Sequence, residues 1–512
     1  MTKYFLTIII FAILLGNSIV ASINSIANCF SINVQLNSPI FTVAPFYASW
    51  NIDSSRNRAF FDTAWNSPEL IYLANAIGGA RIRFGGTGND YLNYAVNGYN
   101  CPAPSNSTEC LNITTATNLF NFVQATNNNI IFGLNIHPAD SGRSPPSAPW
   151  NASNAAALLQ WALENGTPPW GVELGNEQNN NMSAEDQAAA FGVLSQVLDK
   201  IFKNAPNQRP LLVGPDTHGF HASNDTSFNI PILRFINNFI GNMSNMGLQL
   251  DAVTHHEYIE IDQYNVVDPD YLDNTILIGQ QVISSVRSVS STMSVWAGEI
   301  GPHNGQGTTS DNSNCANNHV CGRFGSTLWY ADALGSKATA GYNAFMRQDL
   351  IGAYYALINT TLIGEYFPTP DYYFLKIWRQ TVANKTAVLA VTLPDNTPRT
   401  TRAYAFCGTG NIIFILLNLD NTTSSCLNAP STGIVQGSMM DVYTLTPAGS
   451  DGVTAVSTLL NGELLALNSE GKLPILNPQT IPVGEIQLPP LSVTMVTMNL
   501  QGGSGIAPQC MV

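Results

Sequence analysis

The stretch from Trp170 to Asn180 reads WGVELGNEQNN, an apolar run that ends abruptly in an amide and a carboxylate, Asn176 and Glu177. A second stretch, SVWAGEIGPHNGQG, repeats the arrangement: an apolar run, then Glu299, then a loop. A single carboxylate at a strand end is commonly a helix cap or an ion-pair partner. Two at matched positions, each with aromatic and glycine neighbours, point to acetal chemistry. At a separation of about 5 to 5.5 Å, one attacks the anomeric carbon of a sugar while the other protonates the leaving oxygen and then activates water. The proton donor must keep its proton near neutral pH, and the charge of Glu299 is expected to raise the pKa of Glu177 by like-charge repulsion. Glu299 must be ionised and needs donors, for which Tyr258 and Arg83 are the candidates. Asn176, beside the acid, is placed to hydrogen-bond a sugar hydroxyl such as the 2-OH. Glu173 shares the strand face of Glu177 by the period of two and reads as a structural partner for an inward arginine, Arg83 rather than Arg81.

Other constellations carry less. The HHEY at His255 to Tyr258 lacks the i, i+4 helical spacing of a zinc peptidase, so His256 reads as a pocket wall or hydrogen-bond donor to substrate. No cysteine set has zinc-site spacing, and neither metal nor cofactor is expected. No Gly-x-Ser-x-Gly elbow supports serine hydrolysis.

The elements that must position these residues alternate between short apolar runs and longer amphipathic ones. The candidate strands are FYASWNID, GARIRFGG, NIIFGLN, PWGVELGNE, RPLLVGPD, LDAVTHHEY, SVWAGEIG and KATAGYNAFMRQ. SPELIYLANAIG, AEDQAAAFGVLSQVLDKIFKNA and NIPILRFINNFIGNM are among the helices between them. This order predicts an α/β fold, a (β/α)8 TIM barrel over 41–381, with its active groups at the C-terminal strand ends. Asp53, Thr87, Asn135, Glu177, Asp216, His256, Glu299 and Arg347 all fall there. An open doubly wound sheet is disfavoured because no glycine-rich phosphate loop follows the first strand. From about Thr381 the helices stop, and TAVLAVTLP, TRAYAFCG, NIIFILLNLD, MMDVYTLTP and LSVTMVTMNLQ alternate as an antiparallel β-sandwich over 382–512. Residues 22–40 also alternate and are expected to lend a strand to that sandwich.

The chain has 512 residues, 45% of them apolar and only 11% charged, with a net charge of −14. That apolar share suits large buried cores. The absence of any Lys/Arg cluster excludes a nucleic-acid partner, since phosphate neutralisation needs a basic footprint. Residues 1–21 read as a secretory signal peptide, too short to span a bilayer comfortably. The C-terminus lacks a lipid-anchor tail. Secretion, or delivery to an acidic vesicle, and no stable membrane anchor are the expectations. They agree with Asn-x-Ser/Thr acceptors at Asn106, Asn112, Asn151, Asn165, Asn181, Asn224, Asn242, Asn359, Asn384 and Asn421. Asn181, four residues past Glu177, is poorly placed for a glycan. Eight cysteines on an oxidising route imply disulfides, with Cys101/Cys110 and Cys315/Cys321 as local bridges.

Taken in order, RFGGTGND, IFGLN, ELGNEQN, VGPD, VTHHEY, AGEIGPHNGQG, MRQDLIGAYYAL, PTPDYYFLKIWRQ and TRAYAFC resemble family 79 of the glycoside hydrolases, the heparanase and β-glucuronidase group. The likeness runs from about Asp53 to Cys510. It implies a barrel plus sandwich and a retaining mechanism, with Glu177 as acid/base and Glu299 as nucleophile. It also implies a pocket for a terminal uronic acid. There Asp53 and Thr87 bond the sugar hydroxyls, while Tyr355 and the backbone N–H groups of Gly305 and Gln306 hold the carboxylate. A disulfide between Cys407 and Cys510 follows from the same resemblance, leaving Cys29 and Cys426 to pair. Two departures stand out. Pro302, His303 and Asn304 follow the expected nucleophile where relatives run through small residues to a tyrosine. The short segment from Leu92 to Leu111 replaces a long excised one, so a single chain without proteolytic activation is expected, and a monomer with it.

Heparan sulfate is a dense polyanion, and an acidic chain without basic patches repels it. The expectation is an exo-acting β-glucuronidase on less charged uronic-acid-containing carbohydrates. The alternatives are an endo-acting heparanase-like enzyme, a glycosidase for neutral sugars, and an inactive carbohydrate-binding protein on the same fold.

Overall fold

The computed structural model describes residues 29–512 except 55–62, 102–109, 138–149, 221–225, 305–319, 361–363, 383–384, 436 and 504. The expected signal peptide, Gly305, Gln306, Cys315 and three of the glycan acceptors, Asn106, Asn224 and Asn384, lie outside the described residues.

Eight strands close into a parallel barrel: β1 (Ala48–Asp53), β2 (Arg81–Gly85), β3 (Asn129–Leu134), β4 (Gly171–Leu174), β5 (Leu211–Phe220), β6 (Ala252–Tyr258), β7 (Ser294–Gly301) and β8 (Ala344–Arg347). Each pairs with its sequence neighbours, and β8 closes on β1 through Phe345 opposite Ala48. A helix follows every strand: α1 (Pro68–Ala76), α2 (Ile113–Ala125), α3 (Ser153–Glu164), α4 (Ala184–Ile201), α5 (Ile230–Asn245), α6 (Pro269–Val289), α7 (Phe324–Ala340) and α8 (Pro370–Thr381). Several begin on the side chain expected to cap free N–H groups: Ser67 accepts from Leu70, Asn112 from Thr115, Ser183 from Asp186 and Asp268 from Asp270. Among the described residues, no helix is long and apolar enough to cross a membrane.

Period-two alternation sends one side of each strand to the helices and the other into the barrel. The inward set at the lower end is Ile131, Val213, Ala252, Trp296, Ala344 and Met346. Phe46 and Trp170 pack against it, and the Arg81 guanidinium lies 4.6 and 4.5 Å from the centroids of those two rings. The floor is therefore sealed by apolar and cation–π contacts. Polar chemistry is left to the opposite end. Arg83, two residues further along β2, faces the same interior one layer up.

One expected strand is shorter than its sequence suggests. In KATAGYNAFMRQ only Ala344–Arg347 is strand, and Lys337–Ala340 completes α7. Alanine favours helix there, and the buried Lys337 ammonium is drawn to Glu257 at 2.5 Å. Gly341, at φ 105°, then ends the helix.

Beyond α8 the chain forms antiparallel sheets. The larger contains β9 (Ala387–Leu389), β10 (Thr401–Gly408), β11 (Asn411–Asn418), β12 (Met439–Pro447) and β13 (Ser492–Asn499), in the spatial order β12-β13-β11-β10-β9. The N-terminal segment joins them: Phe41–Thr42 pairs with β9, and Phe30–Ser31 runs parallel to Ser425–Asn428 in a second sheet. The sandwich sits against α7. A Cβ on Gly335 would lie 2.2 Å from the Tyr404 ring, so only glycine lets β10 approach. Tyr404 and Arg402 then reach Asp332, the phenol at 2.7 Å.

Disulfides tie the sandwich together and pin one barrel loop. Cys29 bonds Cys426, and Cys407 bonds Cys510. Of the two local bridges expected from spacing, Cys101–Cys110 forms as read. Cys321 is likewise held in a disulfide, buried in a small cluster with Ala353 and Tyr355. Its expected partner, Cys315, lies outside the described residues, so the Cys315–Cys321 pairing stays an expectation from the sequence.

Candidate active site

Glu177 stands just past β4, with its own backbone at φ 56°. A non-glycine residue in the left-handed region carries a strain that surrounding structure must hold. Here its N–H donates to the carbonyl of Asp216 at 3.0 Å. The preceding N–H, from Asn176, donates to Asp90 Oδ1 at 2.8 Å, and Gln178 Nε2 donates to Asp90 Oδ2 at 2.8 Å. Asp90 thus props the loop from below. Glu299 lies on β7, opposite His256 of β6 across a bulge between His255 and His256. A bulge of this kind re-aims side chains at a strand end. One oxygen of Glu177, one of Glu299 and a ring nitrogen of His256 all lie within 4.8 Å of one another.

Arg83 is the hub. It is 1% exposed. Nε donates to Glu173 Oε2 at 2.7 Å, Nη1 to Glu299 Oε2 at 2.8 Å, and Nη2 to Asn176 Oδ1 at 2.9 Å and to Asp216. The planar fork suits several acceptors at once, which an ammonium would not. Gly85 makes room for it, since a Cβ there would fall 2.6 Å from the guanidinium carbon. Glu173 therefore pairs with Arg83, while Arg81 stays on the floor. Tyr258 donates to the other oxygen of Glu299 at 2.5 Å. Asn176, its carbonyl oxygen taken by Arg83, turns its amide nitrogen toward Thr87 Oγ1 at 3.4 Å, and Thr87 is exposed. Asp53 is held by Gln348 Nε2 at 2.7 Å. The Tyr355 ring is buried, 6.0 Å from the Arg347 guanidinium. Arg347 and Asn135 turn away from the cluster: Arg347 pairs with Asp371, and Asn135 bonds the Leu92 carbonyl at 2.7 Å.

Two expectations need correcting. His256 was expected to meet substrate, but its ring is 1% exposed and committed on both sides. Nδ1 lies 2.8 Å from Glu177 Oε1 and Nε2 3.1 Å from Asp216 Oδ1. It acts through Glu177 instead. Glu177 itself was expected to have a raised pKa. Burial does push it up, but the hydrogen bond and charge of His256, with the charge of His218, outweigh burial and hold it below the ordinary value. For His256, burial favours the neutral ring, yet the charges of Asp216 and Glu299 raise its pKa well above normal. Burial raises the pKa of Glu299 against the opposing charges of His256 and Arg83, and the charge of Glu177 adds to the rise.

Sequence reasoning gave no role to Asp216, Asp90, His218 or Gln348. Asp216 closes strand VGPD with φ 61°, and its contacts come from β2 and β6, which no local pattern reveals. Two carboxylates and an imidazole are also donors that a divalent ion can use. Here one imidazole nitrogen is hydrogen-bonded to Glu177 and the other faces Asp216 as an ion pair, and Arg83 supplies the positive charge.

Comparison with known proteins agrees with this geometry. The family model described as glycosyl hydrolase family 79, N-terminal domain, matches residues 50–335. Heparanase-like protein 3 of Arabidopsis thaliana is 28% identical over 505 residues, covering 86% of this chain and 85% of the relative. Heparanase of Mus musculus is 26% identical over 517 residues, covering 89% and 90%. Baicalin-β-D-glucuronidase of Scutellaria baicalensis is 24% identical over 440 residues, covering 78% and 76%. The crystal structure of a 4-O-α-L-rhamnosyl-β-D-glucuronidase from Fusarium oxysporum 12S shares the fold, with a TM-score of 0.64 at 15% identity, over 91% of this chain and all of that one. With the family model spanning more than half of its length, this chain belongs to glycosyl hydrolase family 79.

Proposed function

We propose that this family 79 glycosidase is exported and removes terminal β-linked glucuronic acid from glycans or glucuronides with retention of configuration. The observation that carries the reading is the approach of Glu177 and Glu299 to within 4.8 Å at the ends of β4 and β7, a spacing suited to double displacement and too short for the water of an inverting site. Glu299 attacks the anomeric carbon as the bond to the leaving oxygen breaks, and Glu177 delivers its proton to that oxygen. Water then gives a proton to Glu177 and attacks the same carbon, which frees glucuronate and restores Glu299.

The surrounding groups give each carboxylate its part. Tyr258 and Arg83 donate to separate oxygens of Glu299, which aligns it and favours the anion. Arg83 divides its charge between Asp216 and Glu299, so Glu299 gives up its own share cheaply as the covalent bond forms. Glu177 sits beside a protonated His256 in the free protein and holds its proton weakly. A bound uronate brings negative charge and excludes water, and both favour the protonated acid. The substrate thus loads the proton that its cleavage consumes. Asn176, Thr87 and Asp53 take the sugar hydroxyls, and Tyr355 with the backbone N–H groups of Gly305 and Gln306 takes the carboxylate.

The choice of exo over endo action rests on charge. The chain carries −14, and Arg83, Lys337 and Arg347 are spent in buried ion pairs. None of these three attracts a sulfated polymer. The test is to assay the secreted protein on an aryl β-glucuronide, the matching glucoside and xyloside, and heparan sulfate, following the anomer first released by NMR. Turnover of the glucuronide with the β-anomer appearing first supports the proposal. Depolymerisation of heparan sulfate alone would establish the endo alternative that the heparanase relatives represent, and binding of uronates without turnover would leave an inactive binder.

A further inference from the structure

The polar run after Glu177 is only partly explained by the chemistry above. Gln178 serves Asp90, but Asn179 and Asn180 serve His218. Asn179 Oδ1 accepts from the His218 N–H at 3.0 Å, and its Nδ2 donates to the His218 carbonyl at 3.1 Å. Asn180 Nδ2 lies 2.8 Å from the imidazole Nε2. Three bonds from two successive asparagines therefore set both the backbone and the ring of one histidine.

His218 belongs to the end of β5, where register shifts interrupt the pairing with β6 between Pro215 and Thr217 and again between Thr217 and Phe220. The first of these turns Asp216 inward to Arg83 and His256, and His218, two residues on, follows to the rim. Its Nδ1 lies 3.8 Å from Glu177 Oε2. Because Oε1 is bonded to His256, Oε2 is the oxygen that remains to meet the scissile linkage. The two side chains are 30% and 26% exposed, so both open on the cleft. Where Nε2 accepts from Asn180 a neutral ring carries its hydrogen on Nδ1, and a charged ring carries one there as well. At 3.8 Å this donor is too far from Glu177 for a hydrogen bond, which leaves it available to a group bound beside Glu177 Oε2.

We infer that His218 binds the leaving group, its Nδ1–H donating to a hydroxyl next to the scissile oxygen, so that the site favours aglycones with a vicinal hydroxyl, whether a sugar or a catechol. The inference rests on the glucuronidase reading and deepens it to the far side of the bond. Wild type, His218→Ala and His218→Asn are compared on a β-glucuronyl disaccharide, 2-hydroxyphenyl β-glucuronide and phenyl β-glucuronide. Loss of one hydrogen bond should lower kcat/KM of the alanine variant about tenfold on the hydroxylated substrates and about twofold on the phenyl one. Asparagine, whose amide nitrogen stands where Nδ1 does, should recover most of the loss. A selective loss on only one hydroxylated substrate supports the contact and identifies whether sugar or catechol supplies the hydroxyl. Equal losses on all three, or no loss, would overturn the inference, each read on the pH-independent plateau of kcat/KM so that the charge of His218 on Glu177 does not enter. If wild type turns over none of the three, it is the glucuronidase reading itself that fails.

Discussion

Replacing Glu173 by glutamine should stabilise the protein, and only above the pH at which an ordinary glutamate ionises. Four carboxyl groups, Glu173, Glu177, Asp216 and Glu299, converge on two cations, Arg83 and His256. Asp216 contacts both cations, and although burial acts against it, their charges hold its pKa far below normal. Glu173 has Nε of Arg83 alone. Burial dominates, the Asp216 charge adds, and its pKa is pushed up to about 8 despite Arg83. A proton on Glu173 then bonds to Asp216. Between about pH 4.3, the unfolded value, and about 8, the folded chain binds a proton that the unfolded chain has released. Stability therefore falls as pH rises through this window, by about 1.4 kcal/mol per unit, and levels off above it. At pH 7 the accumulated cost is about 4 kcal/mol.

Glutamine keeps an acceptor for Arg83 and a donor for Asp216 but has nothing to ionise. The variant and the parent should match near pH 4.5 and differ by about 3 to 4 kcal/mol at pH 7. With an unfolding entropy of about 2.1 cal/mol/K per residue over roughly 480 residues, 1 kcal/mol is about 1 °C, so Tm should rise by about 3 to 4 °C. Differential scanning calorimetry from pH 4.5 to 8.5 at constant ionic strength reads this directly. A variant less stable than the parent by a similar amount at every pH would refute the reasoning. It would mean that Glu173 is an ionised partner of Arg83, whose removal costs the roughly 3 to 5 kcal/mol of a broken buried pair.

Glu177→Gln should lower kcat on a disaccharide by about 10² to 10⁴ and by less on an aryl glucuronide whose phenolate leaves without a proton, a difference visible in steady-state kinetics. In the free protein the pKa of Glu299 is raised and that of Glu177 lowered, so the active form, with Glu177 protonated and Glu299 ionised, is the minor singly protonated one. The acid limb of kcat/KM then falls below the ordinary glutamate value, at the lower of the two pKa values, and the alkaline limb above it, at the higher. His256→Gln should carry that alkaline limb to higher pH, as pH–rate profiles would record. Serine at both Cys407 and Cys510, 103 residues apart, should cost about 5 kcal/mol, or about 5 °C in Tm, while kcat at 25 °C stays unchanged.

The order of strands and helices was legible because burial imposes periods of two and about 3.6 on the chain. Those periods set Glu177 and Glu299 at strand tips and put Glu173 on the inward face that meets Arg83. The donors to Glu299 were legible as well, since Tyr258 and Arg83 each belong to a strand of known direction. What failed was local reasoning applied to charge. A pair repulsion between Glu177 and Glu299 predicted a raised acid, whereas His256 and His218, brought in from β6 and β5, reverse the sign. His256 is withdrawn from the substrate's side by Asp216 at its other nitrogen. Residue types and spacing alone therefore determined that two carboxylates are carried to one end of a barrel. Where the protons rest was decided only by the tertiary structure, because ionisation depends on every charge and donor within a few ångströms, and those arrive from strands far apart in the chain.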